Sequence, residues 1–164
     1  MTGVQTCALP ISQADRQKQL ALYDPVTGLP NRALFDTRLD GALVRFRGSE
    51  NRLAVMLVEA LGLDEVGERL GPLVCDEALR VLARRLLHSV RESATTSRVE
   101  GVRGGVARVG PSELAVLLTG IDRPSDVAAC AQRLSERVAE PVSVLGQQID
   151  LGAVIGIEIG RAHV

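Results

Sequence analysis

Few residues of this 164-residue chain combine a reactive side chain with a suggestive setting. The stretch VARVGPSELAVLL, Val106 to Leu118, places two strand-like runs around Gly110, Pro111, Ser112 and Glu113. A hydroxyl and a carboxylate at a tight turn fit an active site, a broken active site or a plain turn. His88 falls in a long helical pattern with no partner of a triad or metal type, which reads as a surface or half-buried helix residue. Cys7, Cys75 and Cys130 have no metal-ligand spacing, and their odd number gives no disulfide framework. A reducing, cytoplasmic setting is the expectation, although a parent protein anchored in a membrane is compatible with it.

The composition narrows the partners. Nineteen basic residues against 20 acidic ones leave a net charge of -1, so no basic surface for nucleic acid is expected. Aromatic residues make up only 2%, too few to build stacking platforms for single strands. Apolar runs such as LAVMLV and LAVLL are too short to cross a bilayer. With 46% hydrophobic residues, the chain can build one domain around a core of Leu, Val, Ile and Ala.

The elements follow from periodicity and punctuation. Residues 12–23 read as the end of a linker helix, and DPVTGLPNR (24–32) is dense in turn formers. Gly28 can take positive φ there, and Asn31 can cap the helix that follows. Leu34, Phe35, Leu39, Leu43 and Phe46 mark the apolar side of that helix. RLAVMLVEA (52–60) reads as a central strand buried on both faces. One or two helical turns cover 63–71, and a long helix covers 72–92 with Ala78, Leu79, Leu82, Leu86 and Val90 inward. Arg80, Arg84 and Arg85 lie off that stripe and read as a solvated face. Residues 98–110 and 112–120 form a hairpin. A helix spans 123–139, with Ser125 or Asp126 as first-turn acceptors, and two strands fill 141–157 around a turn near Gly146 and Gln147. The order predicts an α/β (α+β) sandwich, a mixed sheet flanked by helices that resembles the split βαβ, ferredoxin-like folds.

The two ends read differently. A codon choice for Thr6 to Ile11 has a reverse complement that, in a shifted frame, encodes Ile159 to His163 and begins a valine codon. Residues 1–11 and 158–164 therefore resemble translated sequencing adapter, leaving 24–157 as the expected domain, with an incomplete C-terminus.

Three blocks together resemble the GGDEF family, the diguanylate cyclases of bacterial signalling. DPVTGLPNR is similar to the family's Asp-x-Leu-Thr-Gly-Leu-x-Asn-Arg opening, matching at Asp24, Thr27, Gly28, Leu29, Asn31 and Arg32. LGPLVCDEALRVLARRL (70–86) is similar to its Gly-His-x-x-Gly-Asp segment and long helix. RVGPSELAVLL (108–118) falls at its Gly-Gly-Asp/Glu-Glu-Phe signature. The resemblance implies a nucleotide-cyclase-type sheet, and that two such domains face each other, each with one GTP and divalent metal, to form cyclic di-GMP.

By the same resemblance, the metal residues are Glu59, in place of the family's Asp, the backbone carbonyl of Ala60, and Glu113. Glu59 is one methylene longer, a change that octahedral Mg²⁺ tolerates poorly. The phosphate loop corresponds to Leu61, Gly62, Leu63 and Asp64, where an acid replaces the family's Lys. The guanine contacts correspond to Gly67, which has lost its side-chain amide, and Asp76, which is retained. Asp76 reads equally as a carboxylate favoured by a helix N-terminus. The signature becomes Gly110, Pro111, Ser112, Glu113 and Leu114, with neutral Ser112 where the metal acid belongs. Glu113 reads equally as a solvated strand-end carboxylate. The Arg-x-x-Asp inhibitory motif is replaced by Gly101, Val102, Arg103 and Gly104. No intact catalytic set remains, so the expectation is a degenerate, inactive domain with a regulatory or interaction role and no cofactor. Its expected partners are a fused or separate EAL-type phosphodiesterase or sensor domain, a second copy, and GTP. The alternative is an active cyclase using Mg²⁺.

Overall fold

A computed structural model describes residues 12–96 and 105–161 of the chain. Helix α1 (Gln13–Leu22) starts at Ser12, whose hydroxyl accepts from the Asp15 N–H, and none of its residues is buried. Tyr23 bridges to Pro30, closing the turn-rich loop on itself. Within that loop Gly28 adopts φ 71°, the left-handed region anticipated for it. The Asn31 side chain then caps α2 (Arg32–Arg45) by accepting from the Leu34 N–H at 3.1 Å.

The main sheet has the order β2-β3-β1-β6. Its strands are β1 (Arg52–Leu61), β2 (Val106–Arg108), β3 (Glu113–Ile121) and β6 (Gly152–Arg161). The α+β sandwich is as the sequence implies, but its described pairings are all antiparallel rather than mixed. The helical crossover α3 (Leu63–Leu70) and α4 (Pro72–Thr96) carries the chain from β1 to β2. β3 inserts between those two strands, so the parallel pair never touches. The return crossover is α5 (Pro124–Ala139), followed by the hairpin of β4 (Val142–Val144) and β5 (Gln147–Ile149).

The core lies chiefly between the sheet and α4 with α5. Ala54, Met56 and Val58 of β1 pair with Leu118, Val116 and Leu114 of β3, setting six apolar side chains on one face. Against them pack Ala78, Leu79, Leu82, Leu86 and Val90 of α4, the stripe read from the sequence, and Val127, Cys130, Leu134 and Val138 of α5. Burying side chains of this size stabilises by roughly 1.5–3 kcal/mol each. On the opposite face, Phe35 and Ala42 of α2 and Phe46 at its C-cap cover Ala107, Ala115 and Leu117. Leu43, expected inward, is 37% exposed because Ala42 takes the contact.

That smaller layer explains a correction. α2 shelters β2 and β3, so β3 is the strand buried on both faces, while β1 alternates toward its end with Leu57, Glu59 and Leu61 exposed. Further expectations change. Residues 141–157 make the separate β4–β5 hairpin and then β6, because Leu145 and Gly146 both take positive φ and reverse the chain tightly. Arg85 is no solvated residue: it donates to the carbonyls of Arg137, Glu140 and Pro141 at the end of α5. Arg80 likewise donates to the Val26 carbonyl at 2.8 Å. α5 begins at Arg123 without a side-chain cap; Asp126 is engaged by the Arg123 guanidinium at 3.6 Å instead. β6 does not stop at Ile157 but continues to Arg161, opposite Arg52. Gly101, Val102, Arg103 and Gly104 lie outside the described residues.

Candidate functional site

The sheet brings the expected metal positions together at one strand end. β1 and β3 run antiparallel in a register that sets Glu59 directly opposite Glu113. Directly opposed residues project from the same face, so both glutamates leave the sheet on one side. One residue further, the Ala60 N–H donates to the Ser112 carbonyl at 2.9 Å. The Ala60 side chain itself is buried in the main core.

The signature forms the end of a hairpin. The Glu113 carbonyl accepts from the N–H groups of Val109 and Gly110, closing a loop over Gly110, Pro111 and Ser112. The Glu113 carboxylate folds back over Gly110, and any side chain at that position would collide with it. That carboxylate is the end of a flexible side chain, so a larger residue at 110 would make it swing aside. Leu114, the last signature position, is buried in the core.

Arg108 holds this turn from behind, a role that sequence reasoning missed. Its Nε donates to the Gly110 carbonyl at 3.1 Å and its Nη2 to the Pro111 carbonyl at 2.9 Å. Its Nη1 reaches Asp24 Oδ1 at 2.9 Å, and its backbone N–H donates to Pro30 at 2.9 Å. Asp24 also accepts from the Thr27 N–H and hydroxyl, each at 2.7 Å. Both charged side chains are largely buried, 19% exposed for Arg108 and 13% for Asp24. Burial works against the Asp24 anion, but the Thr27 hydrogen bonds and the Arg108 guanidinium outweigh it and hold the carboxyl below its usual value. Arg32 adds a contact to the Val109 carbonyl at 3.4 Å. Thus the opening loop and the signature turn form one hydrogen-bonded unit. The available signal was an arginine two residues before the turn, with an acid far upstream.

The guanine-contact positions lie on the helical pair, not on the strands. Asp76 is the fifth residue of α4, past the first turn that the sequence reading gave it, and Gly67 lies within α3. A Cβ placed on Gly67 would lie 3.8 Å from both Cβ and Sγ of Cys75. The Cys75 thiol donates to the Leu63 carbonyl at 3.5 Å. Burial pushes that thiol up, the Asp76 and Asp64 carboxylates push it further, and Arg108 acts in the opposite sense. Asp64 itself is exposed in the first turn of α3, next to the left-handed Gly62 that starts the helix.

A divalent cation would find an incomplete set of donors. Glu59 and Glu113 supply two carboxylates and Ala60 a carbonyl, whereas Ser112 offers a neutral hydroxyl. Among the described residues, no three His, Cys, Asp or Glu side chains come together to hold a metal. Nor, among the described residues, is any helix long and apolar enough to cross a membrane.

Comparison with known proteins agrees with this architecture. The family model "Diguanylate cyclase, GGDEF domain" matches residues 21–163. The bifunctional diguanylate cyclase/cyclic di-GMP phosphodiesterase MucR of Pseudomonas aeruginosa is 32% identical over 153 residues, covering 93% of this chain and 21% of MucR. The diguanylate cyclase TpbB of the same species is 31% identical over 144 residues, covering 87% of this chain and 31% of TpbB. The chain thus spans a fifth to a third of the length of these relatives. A sensory box/GGDEF protein from Caulobacter crescentus matches in structure with a TM-score of 0.69 and 31% identity, over 84% of this chain and 82% of that one. The FimX GGDEF domain from Pseudomonas aeruginosa matches in fold with a TM-score of 0.73 at 24% identity, over 85% of this chain and 80% of that one. With the family model matched over most of its length, the chain belongs to the GGDEF family and is a domain of cyclic di-GMP signalling.

Proposed function

We propose that this GGDEF domain is catalytically inactive and acts as a regulatory or interaction module. The observation that carries the reading is Ser112, a neutral side chain at the signature position where the reaction needs a metal-binding acid. Phosphoryl chemistry of this kind depends on positioned metal ions that neutralise charge, and a hydroxyl is a poor substitute for a carboxylate ligand. Three further positions support it. Glu59 carries an extra methylene, Asp64 sets negative charge where a triphosphate would need positive, and Gly67 offers no group to a base edge. The fold meanwhile keeps its core and the Arg108 clamp on the turn. A domain that retains its shape while losing its donors is suited to contacts with another domain. The bifunctional relative MucR makes a fused or partner cyclic di-GMP phosphodiesterase of the EAL type the favoured neighbour. A second copy of the domain and GTP are further candidate partners. The reading places the domain in the cytoplasm and gives it no resident Mg²⁺.

The apposition of Glu59 and Glu113 favours a second reading, an active cyclase with shifted metal ligands. Incubation with GTP and Mg²⁺ or Mn²⁺ separates the two. Cyclic di-GMP above the level of a Glu59→Ala, Glu113→Ala control would support the active enzyme and overturn the first reading.

A further inference from the structure

We infer that Cys75 closes the base-recognition side of this site by filling the space into which a side chain at position 67 would reach. The inference rests on the reading that guanine recognition is lost, and it names the contact responsible. The Cα–Cβ direction of Gly67 points at Cys75, whose Cβ and Sγ both lie 3.8 Å from the built Cβ position. That distance is ordinary van der Waals contact, so the first side-chain atom fits. A carboxamide extends further. Continued in the same direction it must displace the thiol, which sits one residue before Asp76 in α4, or else turn aside.

The thiol is held where it blocks. It donates to the Leu63 carbonyl at 3.5 Å, tying the start of α4 to the start of α3. Burial and the carboxylates of Asp76 and Asp64 favour its protonated form, the form that can donate. Glycine at 67 and cysteine at 75 are thus a matched pair: the small residue leaves room for the larger one, and the helices pack closely across them. Restoring the amide alone leaves the thiol in its path. Restoring the amide and removing the thiol frees both the donor group and Asp76 to face one ligand, a guanine base.

The test uses guanosine, which avoids any repulsion between Asp64 and phosphate, with adenosine as the control. Amide chemical shifts of the isotope-labelled chain are titrated for the wild type, Gly67→Asn, and Gly67→Asn with Cys75→Gly. Because glycine is unfavourable within a helix, Gly67→Asn with Cys75→Ala is carried in parallel, and thermal melts verify folding. The wild type should show no saturable shifts. The double variants should bind guanosine in preference to adenosine, and at least about tenfold more tightly than Gly67→Asn alone, the scale of one well-made hydrogen bond. Equal guanosine affinity in Gly67→Asn and the double variants would overturn the role of Cys75. Folded double variants without guanosine-specific shifts would overturn it too. Cyclic di-GMP synthesis by the wild type would instead overturn the inactive reading, whichever order the affinities take.

Discussion

Glu59 and Glu113 face one another across β1 and β3 at the end where the chain enters the signature turn. Two carboxylates directly opposite on one face of a sheet repel, and such pairs destabilise by roughly 0.2–1 kcal/mol. In a cyclase, bound metal would relieve that repulsion. If the domain holds no metal, as proposed, that repulsion goes unrelieved.

Glu113→Gln should therefore stabilise the fold in metal-free buffer by up to about 1 kcal/mol, and less at high salt. Thermal melts in low and high salt measure this. Destabilisation in untreated buffer that disappears once both proteins are treated with EDTA would indicate a cation held between the pair.

The Arg108 clamp makes a larger contribution. Arg108→Ala strands the partly buried Asp24 carboxylate and releases two carbonyls of the signature turn. The expected loss is roughly 2–3 kcal/mol, read by denaturant titration with an unchanged slope. A loss within the scatter of surface substitutions would mean that the turn holds itself.

The same pair predicts a pH dependence. The Asp24 carboxyl is held below its usual value in the folded state, its hydrogen bonds and Arg108 outweighing burial. A depressed folded value means that its stabilisation is present in full above the unfolded value of about 3.9 and is lost as pH falls through the folded value. The difference in melting temperature between wild type and Asp24→Asn should be constant near neutrality and shrink below about pH 4. A difference that grows on acidification would reverse the assigned sign.

Leu145 is a local strain point. It holds φ 47° in the turn between β4 and β5 and is 75% exposed, so it gains no packing in return. Asparagine tolerates this conformation and, followed by Gly146, makes the favoured two-residue hairpin turn. Leu145→Asn should stabilise by about 1 kcal/mol, raising the melting temperature by roughly 2–4 °C. A lower melting temperature would show that the turn relaxes in solution.

Much of the architecture was legible because local signals agreed. The apolar stripe from Ala78 to Val90 lies inward as its spacing implies, and Asn31 caps α2. What the sequence left open was set by neighbours distant in the chain. RLAVMLVEA reads as a strand buried on both faces, yet only the reach of α2 decides which strands are sheltered, and it shelters β2 and β3. Arg85 looks like one more solvated arginine until the end of α5 brings three carbonyls to it. At the site, Glu59 and Glu113 could be named from the sequence, but their opposition needed the register of β1 and β3. Arg108 and Cys75 escaped notice because their partners lie far off in the chain or on the adjoining helix, and nothing in their spacing announces a contact.

The central claim is that the missing acid at Ser112 leaves the domain without cyclase activity. Its most direct measurement is the yield of cyclic di-GMP, by mass spectrometry, from the purified protein with GTP and Mg²⁺ or Mn²⁺. The account predicts no product above the level of the Glu59→Ala, Glu113→Ala control. Product above that control, abolished when either glutamate is replaced singly, would contradict it.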